Sequence, residues 1–293
     1  MKRLGEIAAA IYLGIIVSET AAETPFSGEK ALTHIANQIA FGPRSPDNPK
    51  GKQQTLNYIK QTLTPLTENL VVQPFQYRKM HGRNIWATVK GTRQETSSQR
   101  IMLGAHWDTR PLQGKQKHLV NLGANDGASG VAVLLEIARV LSQAPPAVSV
   151  DLIFFDLEDL GNINRLPFAI GSREFIQANP NYRPSAGIII DMVCDQSLSI
   201  LRELHSQAHA QPVVNQVWRI ASKQKAKAFK DHLGTFITDD HLPFLDSGIP
   251  VIDLIHYPFP KYWHTSEDSI DKCSTESLGQ VGRVVTEFIY SHK

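Results

Sequence analysis

Apolar positions along the chain fall into short blocks whose period switches between helical and extended spacing. Ala31, Leu32, Ile35, Ala36, Ile39 and Ala40 recur on one helical face and stop at Gly42-Pro43, and Leu56, Ile59 and Leu63 repeat the pattern up to Pro65. Val71 to Tyr77 and Ile85 to Val89 read as strands flanking a glycine-containing turn. Ile101 to Ala105 is a short apolar strand, and Asp126 to Leu141 a helix with Val131, Leu134, Leu135, Ala138 and Leu141 on its apolar face. Val148 to Phe155 and Ala186 to Ile190 then read as strands and Gly171 to Ala178 as a short helix between them. Val213 to Ser222 follows as a helix, Ile249 to Ile255 as a strand and Leu278 to Ser291 as a closing helix. Strands alternating with helices predict a three-layer α/β sandwich around a mostly parallel, twisted central sheet.

A chain of 293 residues, 42% hydrophobic and 20% charged, has ample material for one core, and a single domain is expected. The formal charge is only +2 and its lysines and arginines are scattered, which argues against a nucleic-acid partner. Lys2-Arg3, an apolar run from Ile7 to Val17 and the small residues Thr20-Ala21-Ala22 have the layout of a secretory signal peptide. The expectation is a leader over 1–22, an exported (periplasmic or secreted) product and one catalytic domain over 23–293. Glu6 at the border of the run is atypical, and the alternative is a short helix retained at the amino terminus. No other segment approaches the ~20 apolar residues that span a bilayer, so no stable membrane insertion is expected after processing. Cys194 and Cys273 form no C-x-x-C pair; export permits a disulfide, yet two buried free thiols are the expectation.

Chemistry gathers where the predicted strands end. His106 and Asp108 follow one strand, Glu158 and Asp159 another, Asp191 ends a third, and Asp253 with His264 lies on and after a fourth. Open α/β sheets bind ligands beyond the carboxyl ends of their strands, which brings these residues together. Each has a plain alternative: a lone histidine is commonly structural, Asp126 suits a helix cap, and Glu158-Asp159 suits a solvated loop. Clustered carboxylates repel one another unless a cation sits among them. His106, Asp126, Asp159, Asp191 and His264 are imidazole and carboxylate donors of the kind zinc takes, with Glu158 left as an acid or base. Asp108, two residues after His106, is placed to accept a hydrogen bond from that imidazole or another ligand. Asp156, inside the strand pattern, has a structural task.

The segments His106-x-Asp108, Asn125-Asp126-Gly127, Glu158-Asp159, Asp191 and His264 resemble the M28 zinc peptidase superfamily. Phe154-Phe155-Asp156, Gly171-Ser172-Arg173, Asp239-Asp240-His241-Leu242-Pro243-Phe244-Leu245 and Pro258-Phe259-Pro260 running into Trp263-His264-Thr265 narrow the resemblance to its glutaminyl-peptide cyclotransferases of the animal type. That resemblance implies one catalytic zinc on Asp126, Asp159 and His264, Glu158 as general acid/base, and Asp191 and Asp239 in its hydrogen-bond network. His106 and Asp108 are implied as second-site or outer residues. Trp263 is implied as a pocket wall, and Phe259, Trp107 and Asp253 are expected to line the same pocket. A cis peptide between Asp126 and Gly127 is a further implication. The chain departs from the cyclases in three places: Asp159 stands where they usually have Glu, Asp253 where they commonly have His, and 162–167 where they carry a Trp.

The implied reaction is attack of the α-amine of an N-terminal glutamine on its own side-chain amide, giving pyroglutamate and ammonia. Peptides or proteins beginning with Gln are then the partners, and a monomer is expected. The same donors also fit a two-zinc M28 aminopeptidase, with Asp126 bridging, His106 and Asp191 on one ion, and Asp159 and His264 on the other. A non-catalytic domain binding peptide termini is the third reading; the survival of base and ligands together argues against it.

Overall fold

The computed structural model describes residues 25–93 and 100–292; the expected leader lies outside them. Two helices, α1 (Gly28–Ala40) and α2 (Pro49–Leu63), precede a six-stranded sheet. Its strands are β1 (Asn69–Tyr77), β2 (Met80–Val89), β3 (Arg100–His106), β4 (Ser149–Phe155), β5 (Ala186–Asp191) and, numbered last, β8 (Val251–Ile255). They lie in the order β1-β2-β4-β3-β5-β8, with β1 and β2 antiparallel and β4, β3, β5 and β8 parallel. Between the strands run α3 (Ala128–Gln143) and α4 (Ile170–Ala178). After β5 the chain adds β6 (Ile200–Arg202), α5 (Leu204–His209), α6 (Gln211–Lys223), β7 (Phe229–Leu233) and α7 (Leu242–Asp246); α8 (Thr275–Tyr290) closes it.

Successive strand side chains point to opposite faces, and both faces of this sheet are covered. Ile101, Leu103 and Ala105 of β3, with Ile188 and Ile190 of β5, join a core with α1, α3 and α8. Met102 and Ile189, one residue out of phase, pack on the other side with Phe155, Phe175 of α4 and Phe244 of α7. The layers fit closely enough that a Cβ on Gly130 of α3 would come within 2.0 Å of the Ile190 carbonyl oxygen of β5. That contact brings the start of α3 down beside Asp191. Cys194, just beyond β5, and Cys273, just before α8, form a disulfide, contrary to the expected free thiols. Sequence separation of 79 residues says nothing of proximity; β5 and α8 packing on one core supplies it. Among the described residues no helix is long and apolar enough to cross a membrane.

Candidate active site

The residues at the carboxyl edge of the sheet surround a cavity of about 180 Å³, lined by Asp126, Glu158, Asp159, Asp191, Asp239 and His264 among others. They come from separate connections, except that Glu158 and Asp159 are neighbours in one. Asp126 lies in the turn before α3, where its amide and that of Asn125 donate to the two oxygens of Asp268 at 3.0 and 2.8 Å. The fully buried Arg44 braces the same turn through the Gly123 and Asp126 carbonyls at 2.8 and 3.4 Å. The Asp126–Gly127 peptide is not cis; among the described residues the cis bond is Tyr257–Pro258. Gly127 at φ 90° makes the turn instead, in a region open to glycine without penalty.

Glu158 and Asp159 follow β4, and their backbone amides donate to Asp108 Oδ1 and Oδ2 at 3.0 and 3.2 Å. Of the two partners expected for Asp108, His106 has its Nδ1 3.6 Å away, beyond hydrogen-bond reach, and it is the backbone of Asp159 that donates to Asp108. Asp108 orients the turn that carries Glu158 and Asp159. Three residues at left-handed φ flank the cavity: Leu157 at 60°, Met192 at 51° and His264 itself at 57°. Such conformations cost side-chain-bearing residues about 1–2 kcal/mol each, strain that packing must enforce and that collects at functional sites.

Asp126, Asp159 and His264 converge, with one donor atom of each within 4.8 Å of the others. His264 Nε2 is 2.9 Å from Asp159 Oδ1 and 3.4 Å from Asp126 Oδ2. Asp126 Oδ2 and Asp159 Oδ2 are buried and have no hydrogen-bond donor, so the cluster keeps uncompensated carboxylate oxygens. One imidazole and two carboxylates with free lone pairs fit a zinc ion with a position to spare. His106 Nε2 sits 3.1 Å from both Asp126 Oδ1 and Asp191 Oδ1, joining the second acidic pair. Asp156 is structural, ion-paired with Lys52 and accepting the Arg83 amide at 2.9 Å.

Electrostatics follow from this crowding. Burial, reinforced by the Asp239 carboxylate and opposed by His106, pushes Glu158 well above the ordinary carboxyl range. Burial and then Asp126 raise Asp159 to about 6, and burial raises Asp191 to about 7 against the pull of His106. Burial works against a charged His106, but Asp191, Asp108 and Asp126 outweigh it and hold that imidazole well above its ordinary value.

Of the expected pocket residues, Phe259 and Trp263 line the cavity and stack on one another, ring centroids 4.3 Å apart. Trp107 and Asp253 do not line it. The residue after His106 faces the other way, so Trp107 is buried beneath Lys52 with its indole N–H donating to the Arg83 carbonyl at 3.1 Å. Asp253 lies two residues before Ile255, the β8 residue that does reach the cavity, hence about 6–7 Å deeper along the strand. There it is buried 3.9 Å from His241 Nδ1. Sequence reasoning missed Phe168, Phe236 and Ile237 in the lining and Arg44, Arg110 and Asp268 behind it. The one signal for Asp268 was its place just after Trp263-His264-Thr265.

Residues 84–289 match the model of Peptidase family M28. The chain belongs to that family. A crystal structure of a leucine aminopeptidase precursor from Bacteroides thetaiotaomicron is 35% identical, with a TM-score of 0.84 over 92% of this chain and 99% of that one. A glutaminyl cyclase of the same organism, bound to N-acetylhistamine, is also 35% identical, with a TM-score of 0.83 and the same coverage. The glutaminyl-peptide cyclotransferase of Bos taurus is 25% identical over 284 residues, covering 85% of this chain and 78% of that relative. Both M28 activities thus occur among the chains it is similar to.

Proposed function

We propose that this M28 protein is a zinc-dependent glutaminyl cyclase, converting an N-terminal glutamine of peptides or proteins to pyroglutamate with release of ammonia. The observation that carries the reading is the pairing of one donor cluster bearing free carboxylate oxygens, Asp126, Asp159 and His264, with a neighbouring carboxyl, Glu158, held above its usual range. Similarity over nearly the whole chain to glutaminyl cyclases supports it.

A zinc ion held by these three residues supplies Lewis acidity toward a carbonyl oxygen. The protein's own groups do the rest. The cavity holds the glutamine bent, so that its amine and its side-chain carbonyl carbon approach within one residue. Glu158 accepts a proton from the amine as the new C–N bond forms, then delivers it to the amide nitrogen as the old C–N bond breaks and ammonia departs. A carboxyl whose pKa lies nearer neutrality suits both halves of that transfer. Asp239, buried beside it, favours the protonated state between steps.

The two-ion aminopeptidase has one observation in its favour: His106, Asp126 and Asp191 form a second group of donors. Metal analysis separates the two. One zinc per chain, unchanged by His106→Ala, fits the cyclase; two per chain, reduced to one by His106→Ala, fits the peptidase. We also infer an exported monomer whose leader, residues 1–22, precedes one domain over 23–293; the disulfide supports an oxidising compartment.

A further inference from the structure

The cavity is small. About 180 Å³ is well below the ~300–1,000 Å³ of pockets that enclose drug-sized ligands, so it takes one residue and leaves the rest of a peptide outside. What that emerging chain meets is set by the lip. All five carboxylates of the lining are buried, between 1% and 7% exposed. The more exposed lining residues are Phe168, Thr235, Phe236, Thr238, Phe259, Trp263 and His264, with no lysine or arginine among them.

Two of these aromatics are fixed in unusual ways. Phe236 is 63% exposed, a large apolar surface left in water in the lining of a cavity that also holds five carboxylates, and it rests on the His205 ring with centroids 4.7 Å apart. Phe168 ends a loop in which Asn162, Asn164 and Arg165 adopt left-handed φ, as does the following Ala169. Its ring lies directly on Gly161, where a Cβ would come within 2.1 Å of it. Leu157, Leu160, Ile163 and Ile170 form the small core that anchors this loop.

We propose that Phe236, together with Phe168, is a specificity-determining lip that receives the side chain of the peptide's second residue and selects aromatic or aliphatic side chains over acidic ones. It deepens the reading above, since it presupposes a peptide amino terminus seated in the cavity. An apolar second residue buries exposed ring surface. An acidic one finds no lysine or arginine in the cavity lining and faces the carboxylates below.

Binding measured without turnover tests the lip, and product analysis separately tests the reaction. Gln-Phe-amide, Gln-Gly-amide and Gln-Glu-amide are titrated calorimetrically into zinc-loaded Glu158→Gln and Glu158→Gln/Phe236→Ala proteins. A roughly tenfold tighter Kd for Gln-Phe-amide than for Gln-Gly-amide is expected, with Gln-Glu-amide weakest, and Phe236→Ala should collapse the Phe/Gly ratio toward one. Phe236→Leu should restore part of it. Equal affinities for the three peptides, no binding of any, or a ratio untouched by Phe236→Ala would overturn the proposal. The wild-type protein is then assayed for ammonia from Gln-Phe-amide and for free leucine from Leu-Phe-amide. Leucine without ammonia removes the cyclase reading, while the calorimetric ratio still decides the lip.

Discussion

Glu158 and His264 line the same cavity, and the proposed mechanism gives them opposite tasks, one to carry a proton and one to offer a lone pair, which single substitutions separate. Glu158→Gln preserves shape but cannot shuttle a proton, so turnover should fall about 10²–10⁴-fold while zinc content stays unchanged. His264→Ala removes the imidazole 2.9 Å from Asp159 and should lower zinc per chain instead. Metal analysis beside ammonia release checks both; near-normal activity in Glu158→Gln would move the base to Asp191 or Asp239. Asp108 acts through others. Because it accepts the amides of both Glu158 and Asp159, Asp108→Asn leaves one of them facing an NH2 group. The expected result is a lower kcat with a smaller change in KM, and a kcat equal to wild type would contradict the positioning role.

The elements that frame the site are held by two devices that the apolar pattern does not encode. The Cys194–Cys273 bridge ties the end of β5 to the start of α8 across 79 residues, and a Cys273→Ser variant should lose about 2–4 kcal/mol of unfolding free energy. Denaturant titration measures it, and a change within ~0.5 kcal/mol would contradict a stabilising role. Glu203 caps α5, accepting the amides of His205 and Ser206 at 2.9 and 2.6 Å, and also that of Ile237 in the cavity lining at 3.1 Å. Burial alone would raise this carboxyl, but His241 and those amides bring it down to about 2. A depressed folded-state pKa contributes stability that is present above the unfolded value of about 4.3 and is lost as pH falls toward 2. Glu203→Gln should therefore flatten stability against pH over that window, and an unchanged slope would sink the assignment. The central strands and the helices α3 and α8 were legible because each buries a continuous apolar run whose period identifies it. So was the gathering of His106, Glu158, Asp159, Asp191 and His264 at one edge, which needs only the strand ends, whereas Asp126, Asp159 and His264 as one ligand set came from the family resemblance. The short β6, β7, α5 and α7 carry too few periodic positions to register. Trp107 and Asp253 were misplaced because side-chain direction and depth along a strand matter as much as proximity in sequence. Phe168 escaped because its position depends on a run of left-handed residues with no glycine among them to flag it.

At the scale of the whole molecule, an M28 sheet brings four chain connections to one edge, where two groups of donors that could hold a metal meet at Asp126. Fold and ligand inventory are shared, so the distinction rests on which bond the assembled site breaks. An intramolecular attack requires a neutral α-amine, whose pKa is about 7.7–8.0, so kcat/KM on a Gln-initiated peptide should rise from pH 6 to pH 8. A pH–rate profile falling over that range would contradict amine attack. The most direct measurement is mass spectrometry of two peptides, identical except for an N-terminal Gln or Leu, after incubation with the zinc-loaded protein. The expected result is a Gln peptide lighter by one ammonia and an intact Leu peptide. Free leucine, with the Gln peptide left uncyclised, would contradict the proposed function and establish an aminopeptidase in its place.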